Sequence, residues 1–222
     1  MQVMSNDHSI LQELFDLTGK VAVITGSSQG LGLVLARGLG QAGATIVLNG
    51  RNTEKLDRAV AKLSQEGITV FGYAFDVTDS SQIQTRIPTI EHEVGPIDIL
   101  VNNAGVQRRA PLETIEEAVW REVINTNLTS VFLVTKQVVQ GMIARKSGKI
   151  INICSLMSEV GRVTIAPYAA SKGGLKMLTK NMAVDWGKYN IQVNGIGPGY
   201  FLTEMTQPLA DDVTFDTWLK SR

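Results

Sequence analysis

The sequence predicts a single-domain α/β protein with a Rossmann-type, doubly wound parallel sheet. Short runs rich in valine and isoleucine alternate with longer helical patterns along the whole chain, and no internal repeat or linker divides them. Several of the short runs are apolar almost without a break, as in strands that are covered on both faces. The chain has 222 residues, of which 44% are hydrophobic, and this is enough for one domain with a sizeable core.

The apolar runs and the helical patterns predict the elements in order. We predict strands near residues 20–25, 44–49, 69–75, 97–102, 148–154 and 191–196, because each run is short and rich in valine and isoleucine. We predict helices at 30–42, 53–66, 79–94, about 115–145 and 167–187. Residues 1–16 are interpreted as an N-terminal extension and residues 17–222 as the domain. A ligand cleft is expected beyond the carboxyl ends of the strands.

Composition argues against several classes of partner. The 21 basic and 21 acidic side chains give no formal net charge, and no basic run exceeds Arg108-Arg109, so we expect neither nucleic acid nor a membrane surface as partner. No apolar run approaches the roughly 18 residues of a membrane span, and the start lacks a signal-peptide pattern. The single cysteine, Cys154, fits a reduced cytoplasmic compartment and is interpreted as core packing rather than a reactive thiol. With only His8 and His92 and no Cys/His cluster, no metal site is expected.

A glycine-rich turn follows the first predicted strand and leads into the first predicted helix. Its glycines allow a tight turn, close approach of a pyrophosphate to backbone N–H groups, and close packing of the helix on the strand. The spacing differs from the general Gly-x-Gly-x-x-Gly fingerprint, and a plain strand-to-helix connection is the alternative. The residues expected to bind a dinucleotide here are Gly26, Ser28, Gln29, Gly30, Leu31 and Gly32.

Tyr168 and Lys172 are four residues apart in the last long helical pattern, and Ser155 lies thirteen positions before Tyr168. Residues four apart share one face of a helix, so the Lys172 ammonium is expected near the Tyr168 hydroxyl. A nearby cation stabilises a phenolate and would lower the pKa of Tyr168, which could then exchange a proton with an alcohol or ketone. The alternative is an exposed tyrosine over a lysine stem.

Five segments resemble the short-chain dehydrogenase/reductase family in their order and spacing: 25–32, 102–105, Ser155, Tyr168-x-x-x-Lys172 and Pro198-Gly199. The resemblance covers nearly the whole chain and implies an NAD(P)-dependent oxidoreductase. It implies that Tyr168 exchanges a proton with the substrate, that Ser155 orients the substrate oxygen, and that Lys172 also binds the nicotinamide ribose. A strand-end serine that only caps the next turn is the alternative for Ser155.

The resemblance extends to an asparagine in the helix predicted at 115–145. Asn127 is similar to the family's helix-bending asparagine, which would hold a water linking Lys172 to solvent. Asn125 competes for that role on residue type alone, and a solvated or capping amide is the alternative.

Further cofactor contacts are implied by the same resemblance. Asp76, with Val77, is similar to the family's adenine-side acceptor, although an aspartate at a strand end can simply cap the helix beginning near Ser80. The segment 102–105 would form a wall of the adenine ribose, with a plain turn as the alternative. The implied set is Asp76, Val77, Asn103, Ala104, Gly105, Tyr168, Lys172, Pro198 and Gly199.

The choice of cofactor depends on the residue that follows the second predicted strand. An acidic side chain there would mark NAD, whereas this chain has Gly50 followed by Arg51. A guanidinium can pair with a 2′-phosphate, and no carboxylate stands at this point of the sequence to repel it. We therefore expect NADP(H), with NAD(H) as the second possibility and an exposed surface arginine as the alternative reading.

Within the family, the segments 103–109, 151–155, 158–162 and 190–201 resemble the gluconate 5-dehydrogenase branch, which interconverts 5-keto-D-gluconate and D-gluconate. This resemblance implies a reversible hydride transfer between NADP(H) and a small sugar acid. We expect at least one of Arg108, Arg109 and Arg162, on loops above Tyr168, to bind the carboxylate of the acid, with Glu159 in the same loop as Arg162. Solvated loop arginines are the alternative.

Other functions stay open on the same scaffold, because fold and site do not determine the substrate. The alternatives are a 3-oxoacyl carrier-protein reductase, another sugar or polyol reductase, or a non-catalytic truncated homologue. Family members continue past residue 222 through a seventh strand, so we expect this chain to lack the last strand and to leave the sixth with an unpaired edge. The resemblance also implies a homo-oligomer, either a tetramer or a dimer.

Overall fold

Six parallel strands form one sheet in the computed structural model, which describes residues 14–201, 203, 207 and 211–220. The strands are β1 Val21–Ile24, β2 Thr45–Gly50, β3 Val70–Ala74, β4 Ile97–Asn102, β5 Gly148–Ile153 and β6 Ile191–Ile196. Each coincides with a predicted strand to within one residue at either end. Residues 1–13, with His8 and most of the proposed N-terminal extension, lie outside the described residues.

The helices are α1 Gly30–Gln41, α2 Thr53–Gln65, α3 Ser80–Glu93, α4 Glu117–Ile124, α5 Ser130–Arg145, α6 Ala166–Trp186 and α7 Val213–Lys220. The helix predicted at 115–145 is divided, because a π-helical turn at Asn125–Thr129 lies between α4 and α5. Short π-helical turns of this kind are rare and recur at functional sites. The prediction did not include α7.

The strand order is β3-β2-β1-β4-β5-β6, so the chain reverses direction across the sheet between β1 and β4. This order confirms the predicted single-domain Rossmann-type fold, in which ligands bind beyond the carboxyl ends of the strands. β6 forms one edge of the described sheet, as expected, and Ile191 and Val193 are its buried residues.

Alternate residues of the strands contribute to two separate hydrophobic cores. Val21 and Val23 of β1 pack on the face covered by α3, α5 and α6, whereas Ala22 and Ile24 pack on the face covered by α1 and α2. Side chains two apart on a strand share one face, so both faces of the sheet are buried. Among the described residues, no helix has the length and apolarity needed to cross a membrane.

Candidate active site

The turn between β1 and α1 contains two positions that only glycine fits. Gly26 has a φ of +60°, and a Cβ there would lie 2.8 Å from the Cα of Ala104. A Cβ on Gly32 would lie 2.5 Å from Nδ2 of Asn103 and 2.6 Å from the carbonyl oxygen of Gly26. The absence of side chains therefore lets the loop after β4 pack directly on the turn.

Asn103 and Thr25 fasten that loop to the turn. Asn103 Nδ2 donates to the carbonyl oxygens of Thr25 and Gly26 at 2.9 Å each. Thr25 Oγ1 accepts from the backbone N–H groups of Asn103 at 3.0 Å and Ala104 at 3.1 Å. The predicted cofactor segments after β1 and β4 are thus held together as one rigid surface.

Asn49, at the end of β2, supports the turn from the other side. Its Oδ1 accepts from the Gly26 N–H at 3.2 Å, and its Nδ2 donates to the Phe75 carbonyl at 3.0 Å. Asn49 is buried, with an exposed fraction of 1%. The sequence analysis did not assign Asn49 to the site, although a polar residue near the end of an apolar strand can indicate a site residue.

The first turn of α1 presents backbone N–H groups that no capping side chain uses. Gln29 is the N-cap residue, but its side chain makes no capping hydrogen bond, and the first turn has no acidic residue. The Oε1 of Gln29 instead accepts from Lys55 Nζ at 2.9 Å. Free N–H groups and the positive end of a helix bind phosphate, so these residues fit the pyrophosphate of a dinucleotide.

A cleft with a volume of about 620 Å³ extends from this turn along the carboxyl ends of the strands to Tyr168. The residues that the sequence analysis assigned to the cofactor line it, with the exception of Asn102: Gly26, Ser28, Gln29, Gly30, Leu31, Gly32, Arg51, Asp76, Val77, Asn103, Ala104, Gly105, Tyr168, Lys172, Pro198 and Gly199. Ser155 lines the cleft as well, whereas Asn127, Arg109 and Arg162 lie outside its wall.

Ser155 follows β5, and Tyr168 stands in the first turn of α6. The Ser155 hydroxyl lies close enough to the Tyr168 hydroxyl to lower the pKa of Tyr168. Ser155 Oγ also accepts from the backbone N–H of Met157 at 3.1 Å, so it caps the short turn that follows. The capping interpretation of Ser155 is therefore confirmed, and its role toward the substrate oxygen stays a prediction.

Lys172 is buried behind this pair, with an exposed fraction of 4%. Its Nζ donates to the carbonyl oxygen of Ile153 at 2.6 Å and lies 5.7 Å from the centre of the Tyr168 ring. Burial lowers the pKa of Lys172 to about 8. Lys172 and Tyr168 therefore share one helix face, as predicted.

The predicted effect of Lys172 on the pKa of Tyr168 is wrong for this arrangement. The pKa of Tyr168 is raised, first because burial disfavours the phenolate, while the hydrogen bond with Ser155 lowers it. The Lys172 ammonium faces the Ile153 carbonyl and contributes no lowering. Tyr168 is therefore protonated at neutral pH and suited to donate a proton.

Asn127 is buried in the π-helical turn, whereas Asn125 is exposed, and this distinguishes the two candidates. Asn127 Nδ2 donates to the Val106 carbonyl at 2.9 Å and to Ser171 Oγ at 3.1 Å. Its Oδ1 accepts from the Val106 N–H at 2.8 Å. Both amide hydrogens are thus used, and the side chain joins the loop after β4 to the helix that carries Tyr168.

Asn102 does not line the cleft, which corrects its proposed place in the ribose wall. Its Nδ2 donates to Thr135 Oγ1 at 2.9 Å and to Asn152 Oδ1 at 2.8 Å, and Asn152 Nδ2 donates to Thr179 Oγ1 at 2.9 Å. This buried network links β4 and β5 to α5 and α6. Such networks stabilise the relative position of elements when every member is paired.

Asp76 lines the cleft and is not the cap of α3. Its Oδ1 accepts from the N–H of Thr78 at 2.8 Å and from Thr78 Oγ1 at 2.7 Å. The N-cap of α3 is Asp79, whose hydrogen bonds with Ser81 and Gln82 lower its pKa to about 2. Asp79, rather than Asp76, therefore caps α3.

Two cations lie at the adenine-side end of the cleft, where the second strand ends. Arg51 Nη1 lies 3.7 Å from Asp76 Oδ2, and 75% of the Arg51 side chain is exposed. The structure therefore brings a carboxylate close to Arg51 that the local sequence does not contain. Lys55 lines the same end of the cleft and was missed by the sequence analysis. Its position could have indicated a functional residue, because a lysine in the first turn of α2 is unfavourable for the helix dipole.

The loops above Tyr168 carry several arginines with different partners. Arg108 forms a two-pronged pair with Glu122, at 3.0 Å from Nε and 2.6 Å from Nη2, so it is not available for a substrate. Arg109 lies close enough to Arg162 for the positive charge of Arg162 to lower its pKa, although partial burial is the larger cause. Glu159 pairs with Lys176.

Arg162 has neighbours in the loop after β6 and in α7. Its Nη1 donates to the Tyr200 hydroxyl at 2.8 Å, and its guanidinium carbon lies 4.2 Å from the centre of the Phe215 ring. Arg162 is thus bound to protein groups rather than directed alone into the cleft. Among the described residues, no group of three or more His, Cys, Asp or Glu side chains is placed to hold a metal ion.

The cleft brings a proton-donating hydroxyl pair to one end of a groove suited to a dinucleotide, which is the arrangement of nicotinamide-dependent dehydrogenases and reductases. Residues 20–214 match the short chain dehydrogenase family. The chain belongs to this family of oxidoreductases, and the resemblance drawn from its sequence is confirmed.

Several relatives act on sugar acids, as their names state. The chain is 52% identical to a 5-keto-D-gluconate 5-reductase of Escherichia coli over 212 residues, which are 96% of this chain and 84% of the relative. It is 56% identical to a 2-dehydro-3-deoxy-D-gluconate 5-dehydrogenase of Formosa agariphila over 201 residues, 90% of this chain and 76% of the relative. It also resembles the crystal structure of a gluconate 5-dehydrogenase from Burkholderia cenocepacia in complex with NADP and tartrate. That comparison has a TM-score of 0.92 and 51% identity, and covers 95% of this chain and 83% of the other.

Proposed function

We propose that this chain reversibly reduces 5-keto-D-gluconate to D-gluconate with NADP(H). The observation that carries the proposal is the convergence of Ser155, Tyr168 and the buried Lys172 at one end of the cleft that fits a dinucleotide. Relatives that are at least half identical and are named for sugar-acid chemistry at C5 support the choice of substrate class.

Proton transfer is the work of the protein side chains. NADPH, when bound, supplies the hydride that reaches C5 of the keto acid. Tyr168 donates its hydroxyl proton to the oxygen on C5 in the reducing direction and takes that proton back in the oxidising direction. Ser155 hydrogen-bonds the same oxygen and orients it. The raised pKa of Tyr168 suits the reducing direction, because the donating form prevails at neutral pH.

Lys172 and Asn127 support this proton transfer in the proposal. Lys172 would bind the nicotinamide ribose and restore the proton to Tyr168. Asn127 holds the loop after β4 against Ser171, one turn from Tyr168, through bonds of 2.8 to 3.1 Å. The water-holding role implied for Asn127 stays a prediction.

NADP(H) is the proposed cofactor rather than NAD(H), because two cations lie where the 2′-phosphate would be placed. Arg51 has a mostly exposed side chain and only a 3.7 Å contact with Asp76, so it can turn toward a phosphate. Lys55 is held at the mouth of the same end by Gln29. A phosphate carries more charge than the Asp76 carboxylate and can accept a bidentate pair of hydrogen bonds from Arg51.

Arg109 is the proposed partner of the substrate carboxylate. Arg108 is occupied by Glu122 and Arg162 by Tyr200, whereas no hydrogen bond or ion pair is assigned to Arg109 within the described part of the chain. Burial and the neighbouring charge of Arg162 both lower the pKa of Arg109, so an anion bound to Arg109 would stabilise its positive charge. The loop after Pro198 mixes polar and apolar residues, whereas a pocket for an acyl chain would require an apolar loop there, and this disfavours the 3-oxoacyl carrier-protein reductase alternative.

We further propose that the protein is a cytoplasmic homo-oligomer, either a dimer or a tetramer. The reduced, buried Cys154 is compatible with that compartment. On α6, Met177 and Val184 are 56% and 81% exposed, and apolar side chains exposed on one helix suit burial against a second subunit. Analytical ultracentrifugation tests the assembly, and a monomer at micromolar concentration would contradict it.

The test of the function is a spectrophotometric assay of NADPH oxidation with a panel of carbonyl compounds. The panel contains 5-keto-D-gluconate, 2-dehydro-3-deoxy-D-gluconate oxidised at C5, an acetoacetyl thioester and neutral ketoses. We expect the highest kcat/KM with 5-keto-D-gluconate. A preference for the thioester would support the carrier-protein reductase instead, and binding of NADPH without turnover of any compound would support a non-catalytic homologue.

A further inference from the structure

Tyr200 lies in the loop after β6, between residues that line the cleft. Pro198, Gly199 and Phe201 all belong to the cleft wall, so the backbone at Tyr200 runs along its rim. The Tyr200 ring is 37% exposed and packs edge-on against Phe215, with 5.5 Å between ring centres and 64° between ring planes. Its hydroxyl is therefore held in place by the packing of its ring.

The hydroxyl of Tyr200 accepts a hydrogen bond from Arg162 Nη1 at 2.8 Å. A phenol has one O–H to donate, and accepting from a guanidinium leaves that hydrogen for another partner. A charged donor also polarises the phenol and strengthens the bond that the phenol donates in turn. Tyr200 is thus a prepared hydrogen-bond donor at the rim of the cleft.

Two observations place Tyr200 near the reaction centre. The Ala110 N–H donates to the Thr164 carbonyl at 3.1 Å, which joins the loop of Arg109 to the loop of Arg162. Tyr200 also acts electrostatically on both Tyr168 and Arg109, which is consistent with a position near the proton donor and near the proposed carboxylate partner. A sugar acid that contacts these two groups would come close to the Tyr200 side chain.

We propose that Tyr200 determines substrate specificity by donating a hydrogen bond to an oxygen of the bound sugar acid, and that Arg162 acts through Tyr200 rather than on the substrate. This inference rests on the proposed function, and it reassigns Arg162 from a carboxylate ligand to a positioning residue. The guanidinium plane of Arg162 packs on Phe215 at 4.2 Å, which is a supporting contact and not one that a substrate needs.

The test is a double-mutant cycle with Tyr200→Phe and Arg162→Met, measured with 5-keto-D-gluconate and NADPH. Tyr200→Phe keeps the ring on Phe215 and removes only the hydroxyl, and Arg162→Met keeps an apolar contact with that ring. We expect each variant to raise KM about tenfold with kcat within about twofold, the loss of one polarised hydrogen bond. The double variant should raise KM no further than either single variant, because both remove one interaction.

Tyr189→Phe is the matched control, because Tyr189 precedes β6 and so lies at the amino end of this strand, whereas Tyr200 follows its carboxyl end. It should leave KM unchanged. An unchanged KM in Tyr200→Phe would overturn the inference. So would a double variant in which the increases of KM multiply, because Arg162 would then bind the substrate directly. If Arg162→Met fails to fold, Tyr200→Phe against its control still decides the role of Tyr200, and Arg162→Lys replaces it in the cycle. A wild-type protein with no activity on any keto sugar acid would instead contradict the proposed function.

Discussion

Lys172 donates a hydrogen bond of 2.6 Å to the carbonyl oxygen of Ile153, the last residue of β5. Ser155 lies two residues further along the chain, so this bond ties the helix that carries Tyr168 to the strand end that carries Ser155. The ammonium is buried, and in the part of the chain that the structure describes no carboxylate pairs with it, which is an expensive environment for a charge. A buried lysine that destabilises the fold but aligns two reacting groups is typical of a functional position.

The first prediction concerns the effect of Lys172 on stability. Its pKa is lowered from 10.5 to about 8, so between these values the unfolded chain binds more protons than the folded one. Stability should therefore rise with pH across that window, by on the order of 3 kcal/mol. Urea unfolding of the wild type and of Lys172→Met at pH 7 and pH 10 measures this contribution, because other titrations cancel between the two proteins.

In that comparison, the wild type should gain stability over the variant between pH 7 and pH 10. The variant also leaves the Ile153 carbonyl without its donor, a cost of about 1 to 3 kcal/mol at both pH values, so only the change with pH is diagnostic. A difference that stays constant across the window would show that the lysine is not buried as a costly charge.

Tyr168→Phe removes the proposed proton donor and leaves the ring in place. We expect kcat for 5-keto-D-gluconate to fall by about a hundredfold or more, which is the usual contribution of general acid catalysis. The Kd for NADPH, measured by fluorescence titration, should stay within about threefold, because the phosphate cradle, the turn of residues 26–32, does not include this hydroxyl. Retained turnover in this variant would refute the role of Tyr168.

Gly32→Ala tests the phosphate cradle against Gly38→Ala in the same helix. A Cβ at Gly32 would lie 2.5 Å from Asn103 Nδ2, whereas nothing lies within 4 Å of one at Gly38. We expect Gly32→Ala to raise the Kd for NADPH at least tenfold, because the turn must move away from the loop after β4. Gly38→Ala should leave this Kd unchanged and raise stability by up to about 1 kcal/mol. Equal Kd values for the two variants would contradict the cradle.

The sequence predicts the sheet and the residues that line the cleft well because their signals are local. A strand such as β1 is a continuous apolar run, and the glycines at 26 and 32 meet a steric requirement that no other residue satisfies. These features depend on neighbours in the chain and on general properties of parallel sheets. The parts that failed depend on partners far along the chain.

Three corrections illustrate that limit. Arg108 cannot serve a substrate because Glu122, fourteen residues away, occupies it. The π-helical turn around Asn127 is set by contacts with Val106 and Ser171 rather than by a local pattern. The pKa of Tyr168 is raised rather than lowered, since its burial and the direction of the neighbouring ammonium are properties of the packed core. None of these can be read from residue type and spacing.

Removal of the two cations at the end of β2 should change the choice of cofactor. Arg51→Ala and Lys55→Gln are each expected to raise the Kd for NADPH about tenfold and to leave the Kd for NADH within about twofold, because NADH lacks the 2′-phosphate. Lys62→Gln is the matched control, since Lys62 lies on the same helix α2 and outside the cleft wall. Equal losses of NADPH and NADH affinity would assign these side chains to a general electrostatic role instead.

Arg109 and its neighbour Arg108 allow a matched test of substrate binding. Arg109→Ala should raise KM for 5-keto-D-gluconate about tenfold or more, because a charge-assisted bond to the carboxylate is lost, while kcat changes little. Arg108→Ala should leave KM within about twofold, since that guanidinium is occupied by Glu122. With a neutral ketose, which has no carboxylate, the two variants should behave alike. Steady-state kinetics of both variants with both substrates measures these effects. If Arg109→Ala raised KM equally for the acid and the ketose, this residue would shape the loop rather than bind the carboxylate.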